Sequence, residues 1–457
     1  MRTFALSFLF LLAAPLAPQE FALVGGTVHP GDGSPPIVDG VVIVQKGRIT
    51  AVGPAASTPV PADMIKAGFR HLTPGLIDTH VHYSQTGWAD GRPDATDVRK
   101  EFPYEAAMAQ NAAHPEIYHR AFLHAGVTAV FDVGGYPWTR ALGAATENDP
   151  MAPHVAAAGA LLATYDLKLL TLPDQQQFLF PNTEDEARAY VRLHKAWGSA
   201  AIKVWYIETP GHGVDELSPI VHAAGDEAKK QGLPLIVHST TLATARDAVD
   251  AGAHLLVHSV EDAEVDDAFV GAAKAAGTFY CPTLTVRDGY TMLYQGKLSD
   301  EVRAQLDAVH PSVKERVLRT EQLPHRNPRA LEGMQQRIAL QQKIMATNLM
   351  KLHAAGVPVV MGTDAGNPLT LHGPSVFVEM EAMVKGGMSA KDVLVSATRD
   401  AARAMGRGHD LGLIRKGYIA DLLLLEADPE QDIKAFRTLQ VVWRAGHLHE
   451  RAALLQH

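Results

Sequence analysis

Residues 72–83 read LTPGLIDTHVHY. A Pro-Gly turn at Pro74 and Gly75 leads into a short apolar run, Leu76 and Ile77, that ends in Asp78, His80 and His82. Side chains alternate between faces along a strand. His80 and His82 therefore point the same way, with Asp78 behind them. Two imidazoles projected together from a strand end supply half of a metal site. Taken alone, the triplet fits two packing histidines equally well, so the rest of the chain has to decide.

Downstream, apolar runs alternate with helical stretches. After GLIDTHVH (75–82) come VTAVFDVG (127–134), HVAAAGALL (154–162) and AIKVWY (201–206). PLIVHS (234–239), HLLVHSV (254–260), TFYCPTL (278–284) and PVVMGTDAG (358–366) complete eight strand candidates. Leu217, Ile220, Val221, Ala224 and Ala228 recur at helical spacing between the fourth and fifth. Residues 243–252 and 385–405 also read as helices. Eight strands, most of them followed by a helix, predict an α/β chain forming a (β/α)8 TIM barrel over residues 73–405. The longest interruption, 286–352, is charged and helical in pattern. It follows strand seven, on the face where such barrels carry lids.

The two ends have a different texture. FALVGGTV (21–28) and GVVIVQKGRITAVG (40–53) read as short strands, with turn dipeptides at Asp32-Gly33 and Lys46-Gly47. GYIADLLLLEAD (417–428) and LQVVWRAGHLHE (439–450) repeat that pattern. Neither end is long enough for a domain, so residues 20–72 and 406–457 are expected to pair into one small β-sandwich. Residues 1–19 place Arg2 before an apolar stretch and then Pro15, Ala17 and Pro18. This is the pattern of a secretory signal, and it is too short to span a bilayer. An exported protein, periplasmic or secreted, is the expectation.

At 457 residues the chain suits one large barrel with a minor domain. Its 47% hydrophobic content is ordinary for a globular protein. A net charge of −9 argues against a nucleic-acid binder. The single cysteine, Cys281, excludes an intramolecular disulfide and reads as packing. A small-molecule substrate is expected, with no nucleic-acid partner, no membrane association after export, and assembly into a homo-oligomer.

The polar residues at the C-terminal strand ends carry the chemistry, because those ends converge on one face of a barrel. They are His80 and His82 on strand one, Lys203 on strand four, His238 on five, His258 on six and Asp364 on eight. Each has a bland alternative. A strand lysine can snorkel, a strand histidine can be a satisfied core group, and a terminal aspartate can cap the next helix. Together, in this order, they point to a cation. Unpaired among apolar neighbours each would cost roughly several kcal/mol, and a metal ion removes that penalty.

On PGLIDTHVH, the IKVW lysine, IVHS, LVHS and GTDAG, the chain resembles the amidohydrolase superfamily over essentially all its mature length. The strand-four lysine with two later histidines resembles its binuclear branch. The stretch from GTDAG to LHGPS (371–375) resembles the imidazolonepropionase-like and Xaa-Pro dipeptidase-like group, which includes ochratoxin-type amidases. The resemblance implies that His80, His82 and Asp364 bind a first metal and His238 and His258 a second. Lys203, carboxylated by CO2, would bridge them. Imidazole and carboxylate ligands suit Zn2+.

The expected chemistry is hydrolysis of an amide (peptide-like) C–N bond, in an N-acyl amino acid or dipeptide-like substrate, by metal-activated hydroxide. Asp364 would move the proton. Tyr206 is a candidate for the oxyanion, although strict alternation turns it away from Lys203. Arg287 and Tyr290 are candidates for a substrate carboxylate, and His372 for the mouth. Tyr83, Gln85, Trp88 and Arg92 are expected to line the entrance. Two alternatives stand: a mononuclear cyclic-amide hydrolase or deaminase of the imidazolonepropionase type, and an inactive binding protein on the same fold.

Overall fold

A computed structural model describes residues 20–323 and 328–455. The signal expected at 1–19 lies outside the described residues. The two chain ends meet in one eight-stranded sheet. Its order runs His447–Glu450, Leu439–Arg444, Leu422–Leu425, His71–Pro74, Phe21–Val28, Ile37–Gln45, Arg48–Pro54, with Ile65–Gly68 also paired to Phe21–Val28. Two hairpins turn on two residues each: Lys46 and Gly47 at φ 50° and 74°, and Ala445 and Gly446 at φ 50° and 78°. Positive φ at both central positions is the turn that matches strand twist. The small β-sandwich expected from the two ends is built here from a single hydrogen-bonded sheet that folds over on itself. Phe21 and Trp443 sit three strands apart, which in a flat sheet is roughly 14 Å, yet their rings stack at 5.7 Å. That folding buries Phe21, Leu23, Val42, Leu422 and Trp443 in one apolar cluster.

The rest of the chain is parallel strands with helices. One sheet holds Leu76–Val81, Val127–Asp132 and His154–Ala157; another holds Ile202–Trp205, Leu235–His238, Leu255–Val257 and Phe279–Cys281, with Leu161–Ala163 and Phe178–Leu179 at its edge. Backbone bonds join the two sheets on both sides. Ala200 N–H donates to Ala157 O at 2.9 Å. On the other side, residues 358–365 bond to both neighbours: Val360 N–H to Tyr280 O (2.9 Å), Asp364 N–H to His80 O (2.7 Å) and His82 N–H to Ala365 O (2.8 Å). Ile77, Phe131, Ile236, Leu255, Phe279 and Val360, drawn from every part of this layer, share one apolar cluster.

The expected strand at 358–366 is not a continuous ladder; it pairs only at Val359 and Ala365. The reason is local. Thr363 N–H leaves the ladder to donate to Asp78 Oδ1 at 3.0 Å, and Asp364 takes a left-handed φ of 65°. Gly362 is required there, since a Cβ would lie 2.5 Å from Cys281 Sγ. The 286–352 insertion is helical, with helices Val286–Gln295, Asp300–Gln305 and Pro311–Leu318. A long helix, Pro328–Ala355, then returns the chain to the parallel layer.

Candidate metal centre

His80, His82, Lys203, His238, His258 and Asp364, spread over 285 residues of sequence, line one cavity of about 360 Å3. Alternation places Lys203 and His238, while His80 and His82 follow a register break between Asp78 and Val81. On Ile202–Trp205, Lys203 and Trp205 turn to the cavity, while Ile202, Val204 and Tyr206 join the apolar cluster under the helices. On the next strand Ile236 and His238 face in, and Leu235 and Val237 face out. His258 breaks the rule. Leu255 and Val257 point inward, so His258 would point outward, but its φ of 76° turns it into the cavity. Thr283 (φ 44°) and Asp364 (φ 65°) are strained in the same way. Non-glycine residues in this region cost of order 1–3 kcal/mol each, and here all three gather at one site.

The distances are short. His82 Nε2 lies 3.0 Å from Asp364 Oδ1 and His80 Nε2 3.2 Å from it, neither with the angle for a hydrogen bond. Ring centroids of His80 and His258 are 4.9 Å apart, and those of His238 and His258 4.3 Å. One ligand atom from each of His80, His258 and Asp364 falls within 4.8 Å of the others. Both nitrogens of the buried His80 ring lack a hydrogen-bond partner, a costly arrangement for an interior polar group. His82 Nδ1–H donates to Gly134 O at 2.6 Å, and His258 Nδ1 pairs with Thr283 Oγ1 at 2.8 Å. The carbonyl can only accept, so it fixes the His82 tautomer and leaves Nε2 with a lone pair, while the threonine hydroxyl orients the His258 ring.

Burial, and then the nearby Lys203 ammonium, hold His80 and His238 well below the ordinary imidazole range. Burial and the His238 ring do the same to His258. All three rings are therefore neutral, as metal ligands must be. Lys203 is 2% exposed, and its amine makes no hydrogen bond or ion pair among the described residues. Burial pulls it down to about 7 against the opposing pull of Asp364. Orphaned neutral imidazoles, a carboxylate and an amine able to release its proton near neutrality form a nitrogen and oxygen donor set that fits a divalent cation.

A family model described as the amidohydrolase family matches residues 71–448. The chain belongs to the amidohydrolase family. Imidazolonepropionase of Caulobacter vibrioides is 26% identical over 93% of this chain and 96% of its own length. Ochratoxinase of Aspergillus niger is 25% identical over 93% and 86%. Among solved structures, a Xaa-Pro dipeptidase with bound methionine aligns over 94% of this amidohydrolase and 100% of its own chain, with a TM-score of 0.70 at 20% identity. The A. niger ochratoxinase aligns over 95% and 96%, with a TM-score of 0.70 at 21% identity. At such identities the structural likeness is one of fold.

The substrate candidates divide. Arg287 and Tyr290 line the cavity. Arg287 Nε donates to Glu261 Oε1 at 2.9 Å, and its Nη2 also binds that carboxylate. Tyr290 O–H donates to Asn367 Oδ1 at 2.6 Å. Tyr206 does not reach the cavity. It is 2% exposed, and its hydroxyl donates to Asp247 Oδ2 at 2.8 Å among the helices, because the alternation carries on past the strand's end at Trp205. His372 is not at the mouth either. It is buried, stacks on Tyr118 at 3.9 Å, and places Nε2 3.1 Å from His82 O, so it steadies the backbone at His82. Gln85 and Arg92 line the cavity, whereas Tyr83 and Trp88 are fully buried. Trp88 Nε1–H ties its loop to the insertion through Thr320 Oγ1 at 3.0 Å. Cys281 is buried packing. Sequence reasoning missed Trp205, Phe178, Glu261 and Asn367, all of which line the cavity. Trp205 was available from its spacing of two from Lys203.

Proposed function

We propose that this chain is a binuclear metal amidohydrolase built on a closed (β/α)8 barrel. Its substrate would be an N-acyl amino acid or dipeptide-like molecule, cleaved at the amide C–N bond. The observation that carries this reading is the buried Lys203 amine among four histidines and Asp364. The backbone bonds on both sides of residues 358–365 support closure of the parallel layer. Hydrolysis of carbon–nitrogen bonds agrees with the family and with relatives named imidazolonepropionase and ochratoxinase.

In this reading His80, His82 and Asp364 would hold one ion and His238 and His258 another, with Lys203, if carboxylated by CO2, supplying anionic oxygen ligands to the site. Nitrogen and oxygen donors favour zinc. A bound pair of divalent ions supplies a water of near-neutral pKa and polarises the scissile carbonyl. The Asp364 carboxylate takes the proton of the attacking water and hands it to the leaving nitrogen. Trp205 and Phe178, stacked at 5.2 Å, form an apolar wall with Leu161 and Leu170 for a side chain or acyl group. Arg92 and Arg287 face a substrate carboxylate from the insertion side. Residues 1–19 would export the chain, and N-terminal sequencing of the protein recovered outside the cytoplasm tests that step.

The similarity to imidazolonepropionase supports a second reading, a mononuclear enzyme acting on a cyclic amide. Metal analysis of the zinc- and bicarbonate-reconstituted protein separates the two, near two ions per chain against near one. A panel of dipeptides, N-acyl amino acids and ring amides then assigns the substrate. Hydrolysis confined to ring amides overturns the first reading, and binding of no metal favours an inactive binding protein.

A further inference from the structure

A second group of metal-ligating side chains lies far from the cavity, in the sheet built from both chain ends. His29 follows strand Phe21–Val28 and is fully buried. Its Nδ1 is 2.9 Å from Glu430 Oε1. Its Nε2 is 3.1 Å from His71 Nδ1 and 3.8 Å from Asp428 Oδ1. One ligand atom from each of His29, His71 and Asp428 lies within 4.8 Å of the other two.

An ionised carboxylate can only accept, so Glu430 draws the His29 proton onto Nδ1. Nε2 is then left with a lone pair aimed at His71. Either His71 donates a proton to it, or both lone pairs are directed at a shared cation. Two nitrogens bound to tetrahedral zinc at 2.0–2.1 Å sit roughly 3.3 Å apart, close to the separation seen. A carboxylate on the far nitrogen is also how metal-bound histidines are oriented. The local charge favours a cation. Among the described residues, Asp428, Glu430 and Glu426 face only the cations Lys391, 3.9 Å from Glu430, and Arg70, 3.3 Å from Glu426. His71 and Asp428 are partly exposed, which leaves a path for the ion and room for water as a further ligand.

We propose that His29, His71 and Asp428 form a second metal site for a divalent transition cation of the zinc type, oriented by Glu430. It would fasten the N-terminal strands to the segment after Leu422–Leu425. Its role is to hold the folded-over sheet, and the reaction in the cavity does not need it.

The test uses the full chain without a histidine tag, stripped with chelator, reloaded with zinc and assayed for metal by mass spectrometry. His71→Asn is expected to lose one zinc per chain relative to the parent and to keep its hydrolytic rate within about twofold. It is also expected to show a smaller rise in melting temperature with zinc than the parent, keeping only the part due to the cavity. Equal zinc in the parent and in folded His71→Asn overturns the proposal and leaves a histidine–histidine hydrogen bond. Should His71→Asn not fold, zinc titration of Asp428→Asn decides: tenfold weaker binding of one equivalent supports the site, and unchanged binding overturns it.

Discussion

The hydroxyl of Thr285 donates to Glu379 Oε2 at 2.8 Å, and the same carboxylate takes the backbone amides of Leu284 (2.7 Å) and Thr285 (3.0 Å). A fully buried acid on helix Ser375–Lys385 thus anchors the start of helix Val286–Gln295, which carries Arg287 and Tyr290 into the cavity. Burial outweighs the three donors and pushes Glu379 up to about 7 from an ordinary 4.5. Between those values the folded chain holds a proton that the unfolded chain has released. The stability from this group is complete below pH 4.5 and is lost as pH rises through about 7. Glu379→Gln should flatten that fall by on the order of 3 kcal/mol. Urea unfolding of both proteins from pH 4.5 to 7.5 measures it, and an unchanged slope would contradict the assignment.

Neighbours on one strand should behave oppositely. Tyr206 reaches Asp247, which also accepts from Ser218 Oγ at 2.6 Å and pairs with His222 Nε2 at 3.0 Å. Tyr206→Phe should therefore leave kcat/KM within about twofold and cost about 1 kcal/mol of stability, one hydrogen bond's worth. Trp205→Ala should raise KM about tenfold, because it removes the wall shared with Phe178. A collapse of kcat in Tyr206→Phe would restore the tyrosine to the reaction.

The same pair illustrates what could be read in advance. The polar residues of the cavity are written at strand ends, where a period of two and an apolar run make them conspicuous. Lys203 and His238 follow directly, whereas the His80–His82 pair also depends on a register break between Asp78 and Val81. His258 arrived at the right place for a reason periodicity does not contain, a left-handed backbone that reverses its face. Alternation already turned Tyr206 away from the cavity, where its bond to Asp247 holds it, whereas His372 was misplaced because a loop's path depends on tertiary contacts such as the one to His82 O. The folding-over of the terminal sheet was illegible too. It is set by contacts such as Phe21 on Trp443, between residues more than four hundred positions apart.

Asp364 lies beside two imidazoles and faces the cavity, so the proton-transfer proposal has a direct test. Asp364→Asn keeps the size and one oxygen ligand but cannot carry the proton. Turnover should fall by roughly 10²–10⁴-fold, the usual contribution of a positioned acid–base group. Metal content should stay close to that of the parent. Chelation of the parent should abolish activity, and added zinc should restore it. Near-normal turnover in Asp364→Asn would remove the residue from the proton path.

The last prediction concerns what the cavity selects. The Arg287 guanidinium is gripped on two nitrogens by Glu261, and Gln341 Nε2–H donates to the same carboxylate at 2.9 Å. That fork fixes the plane of the arginine and leaves its remaining N–H groups to the cavity. A hydrogen bond to a charged group contributes about 1.5–3 kcal/mol, or roughly 10- to 100-fold in affinity. Arg287→Met should raise KM by that factor for N-acyl amino acids with a free carboxylate and leave the matching carboxamides within about twofold. Glu261→Gln, which loosens the fork and keeps the cation, should produce a smaller rise with the same preference. Equal losses for acid and amide would mean that Arg287 only braces the insertion and that the carboxylate is read elsewhere, with Arg92 the next residue to replace.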